Sequence, residues 1–329
     1  MRTIGCLLSA LLLASPALVN AAPVGITIQE WPVPWQGTRP RDPDVGADGR
    51  IWFVGQTRDY VGIFNPETET FEKIDLDEGT GPHNLIVGSN GYIWYAGNRD
   101  RHIGRIDPKT QEILRIEMPD DAARDPHTLI EDGRGHIWFT VQFGNFVGRL
   151  DKSSHDVQLI PVPTQNARPY GIISDPEGRP WIALLGTNKL ATVDPETMKL
   201  TEINLPRPDA RPRRVARTSD GRIWYVDYAQ GYLGSYNPET KKIQEWRTPR
   251  KEAGPYAMAV DNKDRIWFVE TVPQPNRFVG FDPATESFFS QTDIPSSGGS
   301  VRHMVFDPKT DAIWFGTDTQ NIGRAQLPD

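Results

Sequence analysis

Short β-rich runs alternate with turn signals along the whole chain, and nowhere between them do apolar residues recur at helical spacing. The segment Gly81-Pro82-His83-Asn84-Leu85-Ile86-Val87 shows the manner. A polar start leads into an apolar run, a Gly turn follows, and Ile93-Trp94-Tyr95 begins the next strand. Asp48-Gly49 and Asp220-Gly221 mark one kind of turn, and Asn65-Pro66-Glu67-Thr68, Asp107-Pro108-Lys109-Thr110 and Asp194-Pro195-Glu196-Thr197 mark another. Asx side chains cap their own turns and Pro presets φ, so none of these residues needs a ligand to explain it.

The pattern repeats. A Trp followed by an apolar or aromatic residue stands at Trp52, Trp94, Trp138, Trp181, Trp224, Trp267 and Trp314, at intervals of 42, 44, 43, 43, 43 and 47 residues. Each unit holds four short strands, which predicts an all-β fold, a seven-bladed β-propeller of four-stranded antiparallel blades. The Trp series reads as blade core. The seventh unit stops after its third strand, at Arg324-Ala325-Gln326-Leu327, whereas Ile26-Thr27-Ile28-Gln29-Glu30-Trp31 resembles the outer-strand sequence Lys242-Ile243-Gln244-Glu245-Trp246. The N-terminal strand is therefore expected to join the last blade and close the ring without an open edge.

Counting back eight residues from Gly49, Gly91, Gly135, Gly178, Gly221, Asp264 and Asp311 reaches the start of each innermost strand, at Arg41, His83, His127, Tyr170, Arg213, Tyr256 and His303. The repeat makes these positions equivalent. Because each blade zigzags, residues just past each Trp run belong to the same face; they include Gln56, Asn98, Gln142, Asp227, Glu270 and Asp318. Arg39, Arg168 and Arg211 precede prolines there, so an acidic chain concentrates arginines near one mouth of its channel. Guanidinium groups bind carboxylates in a bidentate fork, which points to an anionic ligand.

Composition narrows the class. An apolar run from Cys6 to Val19 behind Arg2, ending in Ala21-Ala22, reads as a signal peptide over residues 1–21, with residues 22–329 forming the single propeller domain. Cys6 is the lone cysteine, so the mature chain is expected to have no disulfide and no thiolate chemistry. The formal net charge of −7, or −8 once Arg2 is removed, argues against nucleic acid and anionic membranes as partners. The expectation is an exported protein, periplasmic or secreted, monomeric and without a membrane anchor.

Taken singly, His83 is a channel-lining side chain bonded to water. The set is stronger. Imidazoles, phenols and nearby carboxylates converging on one concave face are the ingredients of acid–base chemistry, and the catalytic candidates are His83, Asp125, His127, Tyr170, Tyr256 and His303. Arg41, Arg213, Arg214 and Gln142 are the candidates for binding substrate, and Glu270 with Asp227 for holding a metal. His102, His136 and His155 fall outside the ring and read as surface or structural residues.

Pro-His before an apolar inner strand, Ile-Trp-Phe after a Gly turn and Ile-Gly-Arg before Asp-Pro together resemble the streptogramin B (virginiamycin B) lyase family of seven-bladed propellers, over essentially the whole mature chain. The resemblance implies elimination at the ester link of a cyclic depsipeptide, with ring histidines on blades five and six and glutamates holding Mg²⁺. In this chain those blades carry Arg213 and Tyr256, Gly254 stands at the first glutamate position, and Glu270 alone matches. A related set lies on blades two and three, where His83 is followed by Asp125 and His127. The functional expectation is a lyase-like enzyme acting on a small anionic or ester-containing substrate, with Mg²⁺ as the candidate cofactor. The alternatives are a metal-dependent lactonase or esterase and a non-catalytic binding propeller of the envelope.

Overall fold

The computed structural model describes residues 24–329, so the segment expected to be a signal peptide lies outside the described residues. Seven four-stranded antiparallel sheets make up the chain, with no helix among the described residues. In the first blade the order outward from the axis is Pro40–Val45, Ile51–Gly55, Tyr60–Asn65 and Thr70–Asp75. The seventh blade departs from chain order. Its strands Met304–Asp307, Ala312–Gly316 and Asn321–Gln326 are completed on the outside by Thr27–Pro32, paired from Thr27 opposite Gln326 to Pro32 opposite Asn321.

Second strands are almost wholly buried because both faces of each sheet meet a neighbouring blade, and they read as near-continuous apolar runs: Ile51–Gly55, Ile93–Gly97, and Ile266–Glu270 up to its closing glutamate. Outer strands such as Ile243–Arg247 are only partly buried and carry polar residues between apolar ones. The Trp of one blade packs into the next, as Trp94 does among Leu129, Ile137 and Phe139. Truncating such an indole costs about 3–5 kcal/mol.

Six inner strands share a feature that the repeat does not announce. Their pairing with the second strand slips between Arg41 and Asp44, Pro82 and Leu85, Pro126 and Leu129, Pro169 and Ile172, Pro212 and Val215, and Pro255 and Met258. A bulge re-aims side chains that strict alternation would send to opposite faces. Here it lets consecutive residues such as Arg213 and Arg214 both reach side chains of other blades.

Candidate active site at the channel mouth

Arg41, His83, His127, Tyr170, Arg213 and Tyr256 each occupy the second position of an inner strand, and His303 directly precedes the seventh. Equivalence in the repeat becomes contact in the ring. The His83 and His127 rings lie 3.6 Å apart by centroid, and His127 lies 4.2 Å from Tyr170. Tyr170 is 6.1 Å from Tyr256 by centroid, and their hydroxyls are hydrogen-bonded to each other. The Arg213 guanidinium sits 3.6 Å from the centre of the Tyr256 ring and 4.2 Å from that of Tyr228.

Immediately after these residues comes a second set of positions, bulged in the first six blades: Asp42, Asn84, Thr128, Gly171, Arg214, Ala257 and, without a bulge, Met304. Arg214, on blade five, crosses the axis. Its Nη2 donates to Asp42 Oδ2 at 3.2 Å, its Nη1 to Thr128 Oγ1 at 3.1 Å, and its Nε to the Arg302 carbonyl at 3.0 Å. Asp42 also accepts from Arg41 Nε at 3.0 Å and from Asn84 Nδ2 at 3.1 Å. A Cβ at Gly171 would meet the Arg214 Cα at 2.8 Å, so the crossing needs glycine there. Past this bar lies a cavity of about 400 Å³ with mostly apolar walls, among them Leu129, Ile172, Val215 and Met258, and with Arg214 and His303 in its lining.

Sequence reasoning placed Arg214 in the site but missed Asp42, Asn84 and Thr128, because plain strand alternation turns them away from the axis. The available signal was a polar residue directly after the ring position in blades one, two, three and five, inside strands otherwise apolar. Arg302 and Tyr228 were missed as well. Arg302 pairs with Asp318 at 2.5 Å, and its guanidinium lies 5.9 Å from the Tyr256 ring.

The charges set the protonation states. Burial would push the Asp42 carboxyl up, but Arg41 and Arg214 outweigh it and hold Asp42 well below the usual carboxylate range. Burial, followed by Arg41 for His83 and by Arg214 for His127, drives both imidazoles far below their ordinary value, so both are neutral. Burial and Arg214 bring His303 down to about 4. The two phenols divide. Burial and the neighbouring Tyr256 raise Tyr170, whereas at Tyr256 the upward push of burial is outweighed by Arg213, Arg41, Arg214 and Arg302, which bring it to about 8. The pair shares one easily lost proton and one tightly held.

The remaining candidates lie elsewhere in the local scaffold. Asp125 accepts from the Phe143 and Gly144 N–H groups at 2.7 and 2.9 Å, tying down the loop that contains half-buried Gln142. Asp227 accepts from the N–H groups of Arg211, Ala229 and Gln230 on Oδ1 and from Arg207 Nη2 on Oδ2. Glu270 Oε1 accepts from the Arg250 N–H at 3.1 Å, Oε2 lies 3.7 Å from Arg250 Nε, and burial raises the carboxyl. Mg²⁺ requires near-octahedral oxygen ligands. Among the described residues no three His, Cys, Asp or Glu gather into a set that could hold a metal, and N–H donors occupy both Asp227 oxygens. The residues present do not fit Mg²⁺ at Glu270 and Asp227.

Fold and site together define a seven-bladed β-propeller whose inner-strand ring brings buried neutral imidazoles, a phenol pair and guanidinium groups into contact. The chain belongs to the virginiamycin B lyase family, which it matches over residues 26–325. Among solved structures it is similar to virginiamycin B lyase from Staphylococcus aureus, with a TM-score of 0.84 at 22% identity, covering 92% of this chain and 100% of that one. A catalytically inactive variant of that enzyme with quinupristin gives the same values, and a streptogramin B lyase gives 0.83 at 20% identity over 92% and 98% of the two chains. These likenesses show the shared fold. No curated protein matches the chain significantly.

Proposed function

We propose that this protein is an exported carbon–oxygen lyase that carries out acid–base elimination on a small anionic or ester-containing substrate at the channel mouth. The observation that carries the reading is the unbroken row His83, His127, Tyr170 and Tyr256 beside Arg213. A neutral imidazole is a competent base at neutral pH, and a phenol brought to about 8 is a competent acid. His127 Nδ1 lies 2.8 Å from Thr128 Oγ1; with the Nδ1–H donated there, Nε2 is left to accept the proton.

In this mechanism His127 removes the proton α to a carbonyl. The electron pair becomes the new C=C bond as the C–O bond at the β-carbon breaks, and Tyr256 protonates the departing oxygen. Arg213 and Arg41 stabilise the enolate charge that develops between these steps. No water enters, so the product conserves the mass of the substrate.

The test is chromatography with mass spectrometry after incubating the mature protein with quinupristin and with a panel of carboxylate esters. A product of unchanged mass and shifted retention, lost by about 100-fold or more in His127→Ala and in Tyr256→Phe, supports the assignment. Addition of one water would identify a hydrolase instead, and saturable binding without any product would identify a binding propeller.

A further inference from the structure

We propose that the cleft between blades four and five, beside the ring, is a carboxylate-binding subsite that orients substrates bearing an apolar group. Its purpose rests on the elimination reading; its geometry does not. The cleft is a cavity of about 470 Å³ lined by Arg168, Arg211, Arg213, Tyr228, Asn166 and Leu185, with no acidic side chain in its lining. Other arginines of the same mouth are matched: Arg41 with Asp42, Arg302 with Asp318, Arg250 with Asp293. Arg168 and Arg213 form no ion pair with a carboxylate among the described residues, and Arg213 Nε is buried without a hydrogen bond; Arg211 Nη1 donates to the Pro208 and Ala210 carbonyls at 3.1 and 2.5 Å. Arg168 and Arg213, with Arg211 between them in the lining, give one concave site the forked donors that bind a planar anion bidentately.

The backbone supplies an independent sign. Arg168 has φ of +52°, the value also found at Gly81 and Gly254, which occupy the same place two residues before the ring residue on their own blades. Glycine adopts that left-handed conformation without steric penalty, whereas arginine does not. Among the seven positions two residues before a ring residue only Gly81, Arg168 and Gly254 take positive φ, so Arg168 is the one side chain carried in that conformation there. Its guanidinium carbon lies 5.4 Å from the ring centre of Phe143, an aromatic left 56% exposed at the mouth. Phe143 and Leu185 provide an apolar flank, and Arg213 links the cleft to Tyr170 and Tyr256 of the row. The ligand class is therefore an aryl or alkyl carboxylate.

Calorimetric titration with phenylacetate as probe tests the subsite without requiring turnover. Wild type and the distant surface variant Lys109→Gln are expected to bind it saturably and alike, with phenylacetamide at least tenfold weaker. Arg168→Gly is expected to weaken phenylacetate about tenfold while its melting temperature is unchanged or raised, since glycine suits the backbone there. Equal phenylacetate affinity in Arg168→Gly, equal affinity for the amide, or displacement of phenylacetate by lower concentrations of inorganic phosphate would each overturn the proposal. His127→Ala separates the two readings. It removes the proposed base yet keeps the subsite, so phenylacetate binding by wild type and His127→Ala alike, with no elimination product from any substrate, retains the subsite and removes the lyase assignment.

Discussion

At the scale of single residues, the same side-chain count that located His83 could not say what it touches. Position in the repeat was legible, because each blade repeats the distance from inner strand to first turn; the contacts with His127 and the tilt of the field were not, because they depend on arginines brought in from blades one, five and seven. That field has a kinetic consequence. Tyr256 must hold its proton to act as the acid, and its group sits at about 8, so kcat/KM is expected to hold level near neutrality and fall as pH rises through about 8. Tyr256→Phe should lower the rate by about 100-fold or more and abolish that alkaline limb, which a pH series on both proteins would show. His303 has a thermodynamic consequence. Its folded value of about 4 lies below the ordinary imidazole value, so under mildly acidic conditions the unfolded chain binds a proton that the folded chain does not. Stability attributable to His303 is therefore full above about 6.5 and is lost as pH falls toward about 4. Asp44, raised to about 6 by burial, contributes a slope of the opposite sign. Comparison with His303→Gln isolates the effect: urea melts at pH 7 and 5 should show wild type losing on the order of 1–2 kcal/mol more than the variant.

At the scale of elements, strand order and blade count followed from the repeat, but two local devices did not. One is the inner-strand bulge, which leaves no residue signature beyond the polar pairs themselves. The other is the fit of the third strand against the second. Gly62, Gly104, Gly148, Gly234 and Gly323 each lie where an added Cβ would meet the aromatic ring of Phe53, Tyr95, Phe139, Tyr225 or Phe315 at 2.0 to 2.3 Å. Blade four pairs Ile182 with Ala191 at this place, and the smaller partner admits a methyl group. The glycine-to-alanine departure at Ala191, visible in the sequence, thus records the loss of an aromatic ring on the neighbouring strand. Gly148→Ala is expected to destabilise by about 1–3 kcal/mol through overpacking. Adding Phe139→Ile should recover part of that loss in denaturant melts, because the two changes share one space.

At the scale of the whole molecule, two ties hold the ring: the N-terminal strand on its outside and the Asp42–Arg214 bar across its axis. The first was legible because the seventh unit lacks a strand and the chain start supplies one; Trp31 then stacks on Trp314 at 5.7 Å and meets Phe64 at 4.9 Å. The second was hidden, since its partners stand 172 residues apart on bulged positions. Both charges are buried, with side chains 0% and 4% exposed, and Asp42 is the carboxylate that compensates both Arg214 and Arg41. Asp42→Asn is the informative change. Asp42 has φ of +47°, a conformation asparagine also accepts, so the substitution removes charge without adding backbone strain. It leaves Arg41 and Arg214 uncompensated, and a loss of about 3–5 kcal/mol is expected. Arg214→Met should cost less, because Arg41 still pairs with Asp42 at 3.0 Å. The double variant, with neither charge of the cross-axis pair, should be less destabilised than the sum of the two by about 1–3 kcal/mol in urea unfolding. Strict additivity would mean that the bar carries no coupling energy and that the blades are held by their apolar faces and the outer strand alone.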